Sequence, residues 1–510
     1  MQPVPQPGAG ARTEVLGQYF HPVPNDSAGI VVVGAGVSGL GAALALSRDG
    51  HRVTLLERDA TPLPPDPSSA FHWDRRGAPQ VRHSHAFLAR LYGLLRTSYP
   101  DVLADLLEAG ATELRMTENL PPQMTDRTPR PGDDELVMLA CRRTTFEWVL
   151  RRAVLASPDC SILDGVAVEG LVAEAPSNGD APIVTGVLTS KGPVSADLTV
   201  VAGGRRSTLP DWLAAIGAGP VPEEVEDTGI VYYSRFYELV EGAEIPPRDG
   251  PIGGDLGYLK YAIFQGDNGT FSITLATPTD DSVLRGALST IEAFDRTAAL
   301  LPATKAWVDP AVSRPITEVH LMAGLLNRLR SFVVDGRPLA LGVHAIGDAS
   351  VCTNPLYGRG CATGFWHADL LASVVRQHPA DLVAQAVTLH DLTTEHLLPW
   401  YRSSVTQDAE ARRIAAAILA GEDLDDPNDP RAFMRSVLRE GLAPAMRTDP
   451  EVFRAFIRTF NLLLPPDTLL SDADIGARVL AVWNDRENRV PEPVLGPPRP
   501  ELLDVLGLAA

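Results

Sequence analysis

The fold of this 510-residue chain is decided by residues 29–57, which read GIVVVGAGVSGLGAALALSRDGHRVTLLE. Ile30–Val33 predict a buried strand, residues 37–49 predict an apolar helix, and residues 52–56 predict a second strand that ends at Glu57. The turn between the first strand and the helix contains a GxGxxG pattern made by Gly34, Gly36 and Gly39. This order of strand, glycine turn, helix and strand predicts the start of a parallel α/β sheet.

The spacing of the three glycines also predicts a ligand. In such a turn the first glycine permits the bend, the second lets a pyrophosphate approach the backbone, and the third lets the helix pack closely on the strand. The free amide groups at the helix N-terminus attract phosphate. A carboxylate about 20 residues further on, here Glu57, accepts hydrogen bonds from ribose hydroxyls. The segment therefore predicts a dinucleotide site, against the alternative of a glycine-rich turn in the core.

The composition excludes several classes of protein. Lys and Arg number 44 and Asp and Glu 64, which gives a formal net charge of −20, and so acidic a surface repels the phosphates of nucleic acids. The four cysteines stand apart, without a CxxC or a Cys/His cluster. Neither a disulfide scaffold nor a metal site is expected, and a reducing cytoplasm fits best. Residues 1–27 contain no apolar signal segment and are predicted to be a disordered tail, and membrane binding is not expected.

A second glycine-rich stretch follows the β-rich run Leu339–Val343. It contains Gly347-Asp348-Ala349, then Asn354-Pro355, then Gly358 and Gly360. An Asp at a strand end can accept from a ribityl hydroxyl, and a glycine turn can direct amides at the pyrimidine edge of a flavin. Paired with the GxGxxG about 310 residues earlier, this stretch resembles the FAD-dependent monooxygenases related to p-hydroxybenzoate hydroxylase.

Two intermediate stretches also resemble that family. Arg143-Thr144-Thr145-Phe146-Glu147 is similar to its R-x-x-L/F-E motif, whose arginine touches the cofactor, and Asp197–Ser207 is similar to its D-x-V-V-x-A-x-G-x-x-S strand and turn. The resemblance covers residues 29–375. It implies an α/β fold with a Rossmann-like FAD-binding domain of the glutathione-reductase type, an inserted mixed β-sheet substrate domain and a C-terminal helical extension.

The implied domain boundaries are 28–220 and 333–375 for the two parts of the FAD-binding domain, 221–332 for the substrate-binding β layer and 376–510 for the helical region. Within these limits, residues 86–110 predict a helix. The acidic residues 223–227 are interpreted as a solvated loop, and Cys352 and Cys361 as packing residues.

A narrower likeness lies at residues 76–85, which read RGAPQVRHSH. This stretch resembles the G-x-P-Q-x-R-H-x-H segment of actinobacterial polyether-pathway epoxidases and their hydroxylase relatives. Pro399-Trp400-Tyr401 followed by Asp408 resembles the C-terminal extension of the same subgroup. The likeness implies that Arg82 contacts the cofactor. For His83 and His85 two interpretations stay open, either hydrogen-bonded packing residues or contacts to flavin or substrate.

The resemblance implies a set of site residues. The residues implied to bind FAD are Gly34, Gly36, Gly39, Glu57, Arg82, Arg143, Asp348, Gly358 and Gly360. Those implied to frame the isoalloxazine are Pro355, Leu356, Gly358 and Gly360, and the chemistry needs neither a protein nucleophile nor a metal. The aromatic side chains over residues 228–275 are either a sheet core or the wall of a pocket for an apolar substrate. The candidate substrate residues among them are Tyr232, Phe236, Tyr261 and Phe264.

The implied reaction transfers one oxygen atom of O₂ from a flavin C4a-hydroperoxide to an apolar alkene or aromatic small molecule, as epoxidation or hydroxylation, in secondary metabolism. Because only one GxGxxG is present, NAD(P)H would bind transiently or a separate flavin reductase would supply the electrons. Two alternatives stay open: a reductase or dehydrogenase of the geranylgeranyl reductase type, and a non-catalytic flavin-binding protein. A flavin-dependent halogenase is disfavoured, because its W-x-W-x-I-P motif is absent from the sequence.

Overall fold

The computed structural model describes residues 29–174, 181–247, 252–422 and 429–508, so the predicted tail, residues 1–27, lies outside the described residues. The strands are β1 (Ile30–Val33), β2 (Val53–Glu57), β3 (Thr112–Arg115), β4 (Val137–Ala140), β5 (Cys160–Asp164), β6 (Val168–Glu174), β7 (Ile183–Thr189), β8 (Gly192–Ser195), β9 (Leu198–Val201), β10 (Glu223–Asp227), β11 (Ile230–Leu239), β12 (Gly253–Asp255), β13 (Lys260–Gln265), β14 (Thr270–Pro278), β15 (Ser313–Pro315), β16 (His320–Met322), β17 (Leu326–Arg330), β18 (Val333–Val334), β19 (Arg337–Pro338), β20 (Val343–Ala345) and β21 (Val351–Cys352).

The α-helices are α1 (Val37–Arg48), α2 (Pro67–Ala70), α3 (Ala89–Ser98), α4 (Pro100–Glu108), α5 (Arg143–Ala156), α6 (Leu209–Ala215), α7 (Ser282–Ala287), α8 (Ile291–Leu300), α9 (Pro302–Lys305), α10 (Gly360–Gln377), α11 (Leu382–His396), α12 (Leu398–Ala420), α13 (Ala432–Ser436), α14 (Ala443–Thr448), α15 (Pro450–Phe460), α16 (Thr468–Ser471), α17 (Ala473–Asn484) and α18 (Arg499–Leu506). A π-helical stretch, Val437–Leu442, joins α13 to α14.

A parallel sheet forms the centre of the first domain, in the order β20-β9-β1-β2-β5. Its middle strand β1 is buried along its whole length, as expected where both faces of a parallel sheet are covered. Ile30 and Val32 pack against the helices, whereas Val31 and Val33 pack on the other face. Because β20 comes from the distant second glycine-rich stretch, one domain is assembled from two separate parts of the sequence.

Two different layers cover this sheet. Helices α1, α5 and α10 form one layer. The antiparallel meander β6-β7-β8 forms the other, and Leu171, Val184 and Val187 from it pack against the sheet. Helices α1 and α10 approach closely at Gly41 of α1, where a Cβ would lie 2.9 Å from the Cδ2 atom of Phe365 in α10.

A second sheet, antiparallel and in the order β12-β13-β14-β11-β15, forms the inserted domain, and β16 also pairs with β11. Because side chains alternate along a strand, β11 directs Tyr233 and Tyr237 into the core of this domain and Tyr232 to the opposite face. Phe271 of β14 and Phe294 of α8 complete that core. The predicted aromatic β layer is therefore both a domain core and, through its other face, a wall toward the first domain.

The described part of residues 376–510 is helical, as predicted, but its helices pack on two different parts of the molecule. Helix α12 packs on β17 and β21, whereas the tail returns to the inserted domain. There Leu502 and Leu503 of α18 are buried in its core, and Arg499 donates two hydrogen bonds of 2.8 and 3.0 Å to Asp281. Helix α18 thus contributes two leucines to the core of the inserted domain.

Two local predictions were wrong. The helix predicted over 86–110 is divided into α3 and α4, because Pro100 cannot donate a backbone hydrogen bond and begins a new helix instead. The acidic residues 223–227 form strand β10, which pairs with β17. All five residues are exposed. Their acidic side chains therefore show no alternation of apolar and polar residues from which a strand at this sheet edge could be predicted.

The apolar face of α15 packs on the body of the protein. Phe453 and Ile457 lie against Leu120, Met124 and Leu136, and Arg454 forms an ion pair with Asp133 at 2.7 Å. Among the residues that the structure describes, no helix is long and apolar enough to cross a membrane.

Candidate functional site: a cofactor cleft beside an aromatic cavity

The glycine turn after β1 opens a cleft in the first domain. Gly34 has a φ of +98° and lies against the backbone of Ala202, a conformation that favours glycine. A Cβ on Gly39 would lie 1.8 Å from the carbonyl oxygen of Gly34, whereas a Cβ on Gly36 would meet no atom within 4 Å. The turn therefore packs tightly on the protein side and leaves the backbone of Gly36 open toward the cleft.

Glu57 lies at the end of β2, beside this turn. Its carboxylate accepts hydrogen bonds from the backbone N–H groups of Ala35 and Asp59, each at 3.0 Å. The buried Arg75 donates to Glu57 at 3.4 Å and to the carbonyl of Ala35 at 3.1 Å. The Arg75 Nε atom makes no hydrogen bond within the described part of the chain, although its side chain lines the cleft.

Arg143 lies at the start of α5 and is held by a carboxylate one turn later. Its Nε donates to Glu147 at 2.7 Å, and one of its terminal nitrogens donates to the Cys361 sulfur at 3.0 Å. Burial opposes ionisation of Glu147, but Arg143 and Arg75 together hold its pKa below the usual range. The predicted packing residue Cys361 thus has a polar partner and lines the cleft beside Arg143.

The far end of the cleft is built from the second glycine-rich stretch. Asp348 follows β20 and lines the cleft with Gly358 and Gly360. Burial raises the pKa of Asp348 to about 6, although the charges of Arg143 and Arg205 oppose the shift. Gly358 has a φ of +66°, and a Cβ there would lie 2.8 Å from the Cβ of Ala86.

A second cavity of about 240 Å³ adjoins the cleft. Ser84, Tyr232 and Pro355 line both spaces. The other side chains of this aromatic cavity include Tyr261, Phe264, Thr274, Leu356 and Tyr357. It lies between β11, β13 and β14 of the inserted domain and the loop that follows Asp348.

A chain of hydroxyl groups leads from this cavity into the inserted sheet. Thr274 donates to Ser84 at 2.7 Å, and the hydroxyls of Thr274 and Ser234 lie 3.0 Å apart. The Nδ1 atom of His83 lies 3.2 Å from the Ser234 hydroxyl. Burial lowers the pKa of His83 to about 3, helped by the neighbouring His320, so the ring is neutral at neutral pH.

His85 occupies a different place from His83. It lines the cofactor cleft, and its Nδ1 donates to the backbone carbonyl of His83 at 2.9 Å. Burial lowers its pKa to about 3. The neutral ring therefore leaves Nε2 as an acceptor, and of the two interpretations, contact with a ligand suits His85 and packing suits His83.

Two of the predicted site residues lie elsewhere. Within the described ranges, Arg82 is not among the residues that line the cleft. It lies beside His320, whose pKa it lowers in addition to burial. Phe236 lines neither cavity in the described part of the chain. It is four residues beyond Tyr232, which is about 13 Å along a strand, and its ring packs edge-on against Phe71 with centroids 5.6 Å apart.

Three charged residues at or near the cleft lie outside the predicted set of site residues: Arg75 and Arg205 line the cleft, and Asp408 contacts the loop beside it. Arg75 precedes the RGAPQVRHSH stretch by one residue, and no motif included it. Arg205 lies within the strand-and-turn motif Asp197–Ser207, to which no site role is assigned, and it lines the cleft. Asp408 was noted only as part of a C-terminal likeness, although its carboxylate contacts the loop after Asp348.

The cleft fits an FAD molecule by its shape and its polar groups. The open backbone at Gly36 suits a pyrophosphate, and the Arg205 side chain can face phosphate oxygens. Glu57 lies at one end and Asp348 at the other, as the adenosine ribose and the ribityl chain require. Gly39 lies beneath the turn and serves helix packing, as its predicted role in the motif requires.

The comparisons with known proteins agree with this cleft. The family described as DAO, FAD dependent oxidoreductase, matches residues 29–136. Protein Rv3254 of Mycobacterium tuberculosis (strain ATCC 25618 / H37Rv) is 28% identical over 509 residues, which cover 92% of this chain and 97% of that protein.

Solved structures are similar over most of the chain. The p-nitrophenol 4-monooxygenase PnpA from Pseudomonas putida DLL-E4 aligns with a TM-score of 0.54 and 16% identity, covering 86% of this chain and 98% of PnpA. The anhydrotetracycline hydroxylase OxyS from Streptomyces rimosus aligns with a TM-score of 0.53 and 19% identity, covering 85% of this chain and 75% of OxyS. At these identities the likeness concerns the fold.

The predicted fold class is confirmed: the chain has an α/β FAD-binding domain, an inserted β-sheet and C-terminal helices. The inserted sheet is antiparallel, however, and not mixed as predicted. The prediction of an FAD-dependent oxidoreductase is also confirmed, by the family match over the glycine turn.

Proposed function

We propose that this protein is an FAD-dependent monooxygenase that epoxidises or hydroxylates a small, largely apolar alkene or aromatic substrate. The observation that carries the proposal is the aromatic cavity that adjoins the cofactor cleft. The two spaces share Ser84, Tyr232 and Pro355. A substrate in one space would therefore lie beside the flavin ring in the other.

Different residues of the cleft hold different parts of FAD. Gly34, Gly36 and Gly39 form the phosphate turn, Glu57 binds the ribose, and Arg143 and Asp348 hold the ribityl region. Pro355, Leu356, Gly358 and Gly360 frame the isoalloxazine, with Leu356 on the substrate side. When bound, FAD supplies the activation of O₂ and the oxygen transfer, so the protein's tasks are binding, orientation and exclusion of water.

The walls of the aromatic cavity support a substrate with a flat apolar body and one hydrogen-bonding group. Tyr232, Tyr261 and Phe264 supply the apolar surface, and aromatic side chains favour planar ligands. The hydroxyls of Ser84 and Thr274, 2.7 Å apart, can exchange hydrogen bonds with an oxygen or nitrogen of the substrate. Substrates of the polyether-epoxidase type, and a place in secondary metabolism, belong to this proposal.

Electrons reach the flavin from NAD(P)H in this proposal, either directly or through a separate flavin reductase. The sequence has a single GxGxxG, which supports transient NAD(P)H binding or a partner over a second dinucleotide domain. The four free cysteines support a reducing, cytoplasmic location.

The test begins with the visible spectrum of the purified protein. We expect bound FAD. Its absorption at about 450 nm should disappear anaerobically on addition of NADPH, of NADH or of a flavin reductase. Substrate candidates are then supplied with isotopically labelled O₂, and one labelled oxygen atom per product is expected. A reduced or desaturated product without the label would indicate a reductase or dehydrogenase instead. Protein that cannot be loaded with FAD would contradict the proposal.

A further inference from the structure

Residues 354–360, named here the flavin loop, separate the two spaces. Pro355 lines both of them, Gly358 and Gly360 line the cofactor cleft, and Leu356 and Tyr357 line the aromatic cavity. The position of this loop therefore sets the shape of both sites at once. None of the described residues of α12 lines either space, yet α12 makes the contacts that hold the loop.

Asp408 of α12 accepts three hydrogen bonds from around the flavin loop. The side-chain amide of Asn354 donates to Oδ1 at 2.8 Å, and the hydroxyl of Tyr357 donates to the same oxygen at 2.7 Å. The side-chain amide of Asn327, from β17, donates to Oδ2 at 2.6 Å. One carboxylate thus joins the first and the fourth residue of the loop to a strand.

The two asparagines pass this arrangement on to the backbone. The carbonyl oxygen of the Asn327 side chain accepts from the backbone N–H of Asn354 at 2.7 Å. The side-chain oxygen of Asn354 accepts from the backbone N–H of Leu356 at 3.0 Å. Because Asp408 takes the amide hydrogens of both side chains, their oxygens are oriented toward the backbone. The direction of two backbone N–H groups in the loop therefore depends on one carboxylate.

The end of the loop has a second contact with α12. The Arg359 guanidinium lies between the rings of Tyr357 and Trp400, at 4.7 and 4.9 Å from their centroids. It also donates to the Ser404 hydroxyl at 3.1 Å. The same helix therefore holds the loop at Asn354 and again at Arg359.

Burial makes the Asp408 contacts strong and specific. Asp408, Asn327 and Asn354 are only 3%, 0% and 1% exposed. An ionised carboxylate only accepts hydrogen bonds, which matches the three donors that face it. Burial raises the pKa of Asp408, while the hydrogen bonds from Tyr357 and the asparagines oppose this shift.

We propose that Asp408 is a positioning residue that fixes the flavin loop, so that the C-terminal helix α12 is part of the cofactor and substrate site. Asp408 touches neither space itself and acts through Asn327, Asn354 and Tyr357. The inference rests on the proposed function for the role of the loop beside the flavin. The hydrogen-bond network itself does not depend on the proposed function.

The test compares Asp408→Asn with Glu410→Gln, which neutralises a carboxylate on the other side of the same helix that pairs with Arg413. Amide hydrogen exchange is measured first, without added FAD. In Asp408→Asn the NH₂ group of the new side chain would face hydrogen-bond donors in place of a carboxylate oxygen, so at least one of the three hydrogen bonds would be lost. Loss of a hydrogen bond to a charged group predicts roughly ten- to hundredfold faster exchange at Asn354 and Leu356. Exchange in the β13–β14 hairpin of Asp408→Asn is expected to stay at the wild-type rate, as is exchange at Asn354 and Leu356 in Glu410→Gln. Faster exchange in Glu410→Gln is expected only around its partners Arg413, Arg431 and Arg435.

The second measurement is the visible absorption and circular dichroism of FAD bound to each variant, at equal FAD occupancy. Asp408→Asn is expected to shift the flavin bands, and Tyr357→Phe, which removes one donor and keeps the ring beside Arg359, to shift them less in the same direction. Wild-type bands and loop exchange in both variants would overturn the inference and leave the proposed function standing. If the wild type binds no FAD, the proposed function fails, and loop exchange in Asp408→Asn alone then supports or overturns the positioning of the loop.

Discussion

Asp348 is the residue at which burial and ligand binding oppose each other. Without cofactor, burial raises its pKa to about 6, so the folded state favours the protonated form. This contribution to the free energy of unfolding is full below about pH 4 and is lost as the pH rises through about 6. A ribityl hydroxyl that donates to the carboxylate favours the ionised form instead. Cofactor binding should therefore release a proton below pH 6.

This linkage predicts a pH dependence of FAD affinity. Between pH 7 and pH 5 the dissociation constant of FAD is expected to rise about tenfold, because one proton must leave a group with a pKa near 6. The measurement is a fluorescence titration of apoprotein at several pH values. Asp348→Asn should remove the dependence. Asp369→Asn should keep it, because Asp369 also has a pKa raised by burial but is not among the described residues that line the cleft. A pH-independent wild type would contradict the assigned role.

Gly36 offers a second test at this scale. A Cβ there meets no protein atom within 4 Å and its φ is −84°, so Gly36→Val should fold, with a loss below about 1 kcal/mol from the helix cap. The added side chain would stand where the pyrophosphate approaches the backbone, and FAD retention on purification should be lost. The control is Gly93→Val, where a Cβ also meets nothing at a site outside the described lining. Full FAD retention by Gly36→Val would place the phosphates elsewhere.

At the scale of elements, the contact between α1 and α10 brings the two glycine-rich stretches together. A Cβ on Gly41 would lie 2.9 and 3.2 Å from two carbons of the Phe365 ring and 3.5 Å from the Cβ of Ala368. Phe365 is 1% exposed, so its ring has no room to move aside. The close crossing thus depends on the absence of one methyl group.

Two Gly→Ala substitutions should therefore change the free energy of unfolding in opposite directions. Gly93→Ala, in α3, should raise the free energy of unfolding by about 0.5–1 kcal/mol through helix propensity. Gly41→Ala should lower it by about 1–3 kcal/mol through overpacking. Urea denaturation measures both, and Phe365→Leu should rescue part of the Gly41→Ala loss. Stabilisation by Gly41→Ala would show that the two helices can separate freely.

The elements that the sequence predicted well are those whose signal is local. Residues 29–57 contain the strand, turn, helix and strand that the structure has, because periodicity and glycine position act within a few residues. The prediction of a single helix over 86–110 was wrong at Pro100, because the apolar spacing continues although one helix ends and another begins there. Strand β10 was not predicted, because it is defined by backbone pairing with β17 and not by a pattern in its own sequence.

The candidate site was predictable where a residue belongs to a motif and not where it is placed by folding. Gly36 and Asp348 line the cleft as the motifs implied. Phe236 is aromatic and on the predicted sheet, but distance along β11 removes it from the cavity. Arg75 and Asp408 reach the site across 40 residues or more of chain, Arg75 to Ala35 and Asp408 to Asn354, and no local pattern encodes such contacts.

At the scale of the whole molecule, the end of the chain completes a domain in its middle. Leu502 and Leu503 of α18 are buried in the core of the inserted sheet. The Tyr258 hydroxyl donates to the carbonyl of Pro497 at 2.6 Å. The ion pair between Arg499 and Asp281 anchors the same tail, with the Asp281 side chain only 1% exposed.

Arg499→Met should destabilise the protein by about 3 kcal/mol, because it leaves the Asp281 carboxylate buried without its partner. The matched control is Arg296→Met in the neighbouring α8, where the ion pair with Glu292 is exposed on both sides and a loss below about 1 kcal/mol is expected. Urea midpoints of the two variants give the comparison. Equal losses would mean that the ion pair between Arg499 and Asp281 contributes little to anchoring the tail.

The strand order of the parallel sheet has a consequence for the protein as it leaves the ribosome. β1, β2, β5 and β9 have all been made by residue 201, but their neighbour β20 begins only at Val343. At about 10 residues per second, the nascent chain waits on the order of ten seconds with one sheet edge unpaired. During that interval Leu198–Val201 is a bare strand able to pair with another chain. The yield of this protein in a cell should therefore respond to translation speed and to chaperones that cover exposed strands.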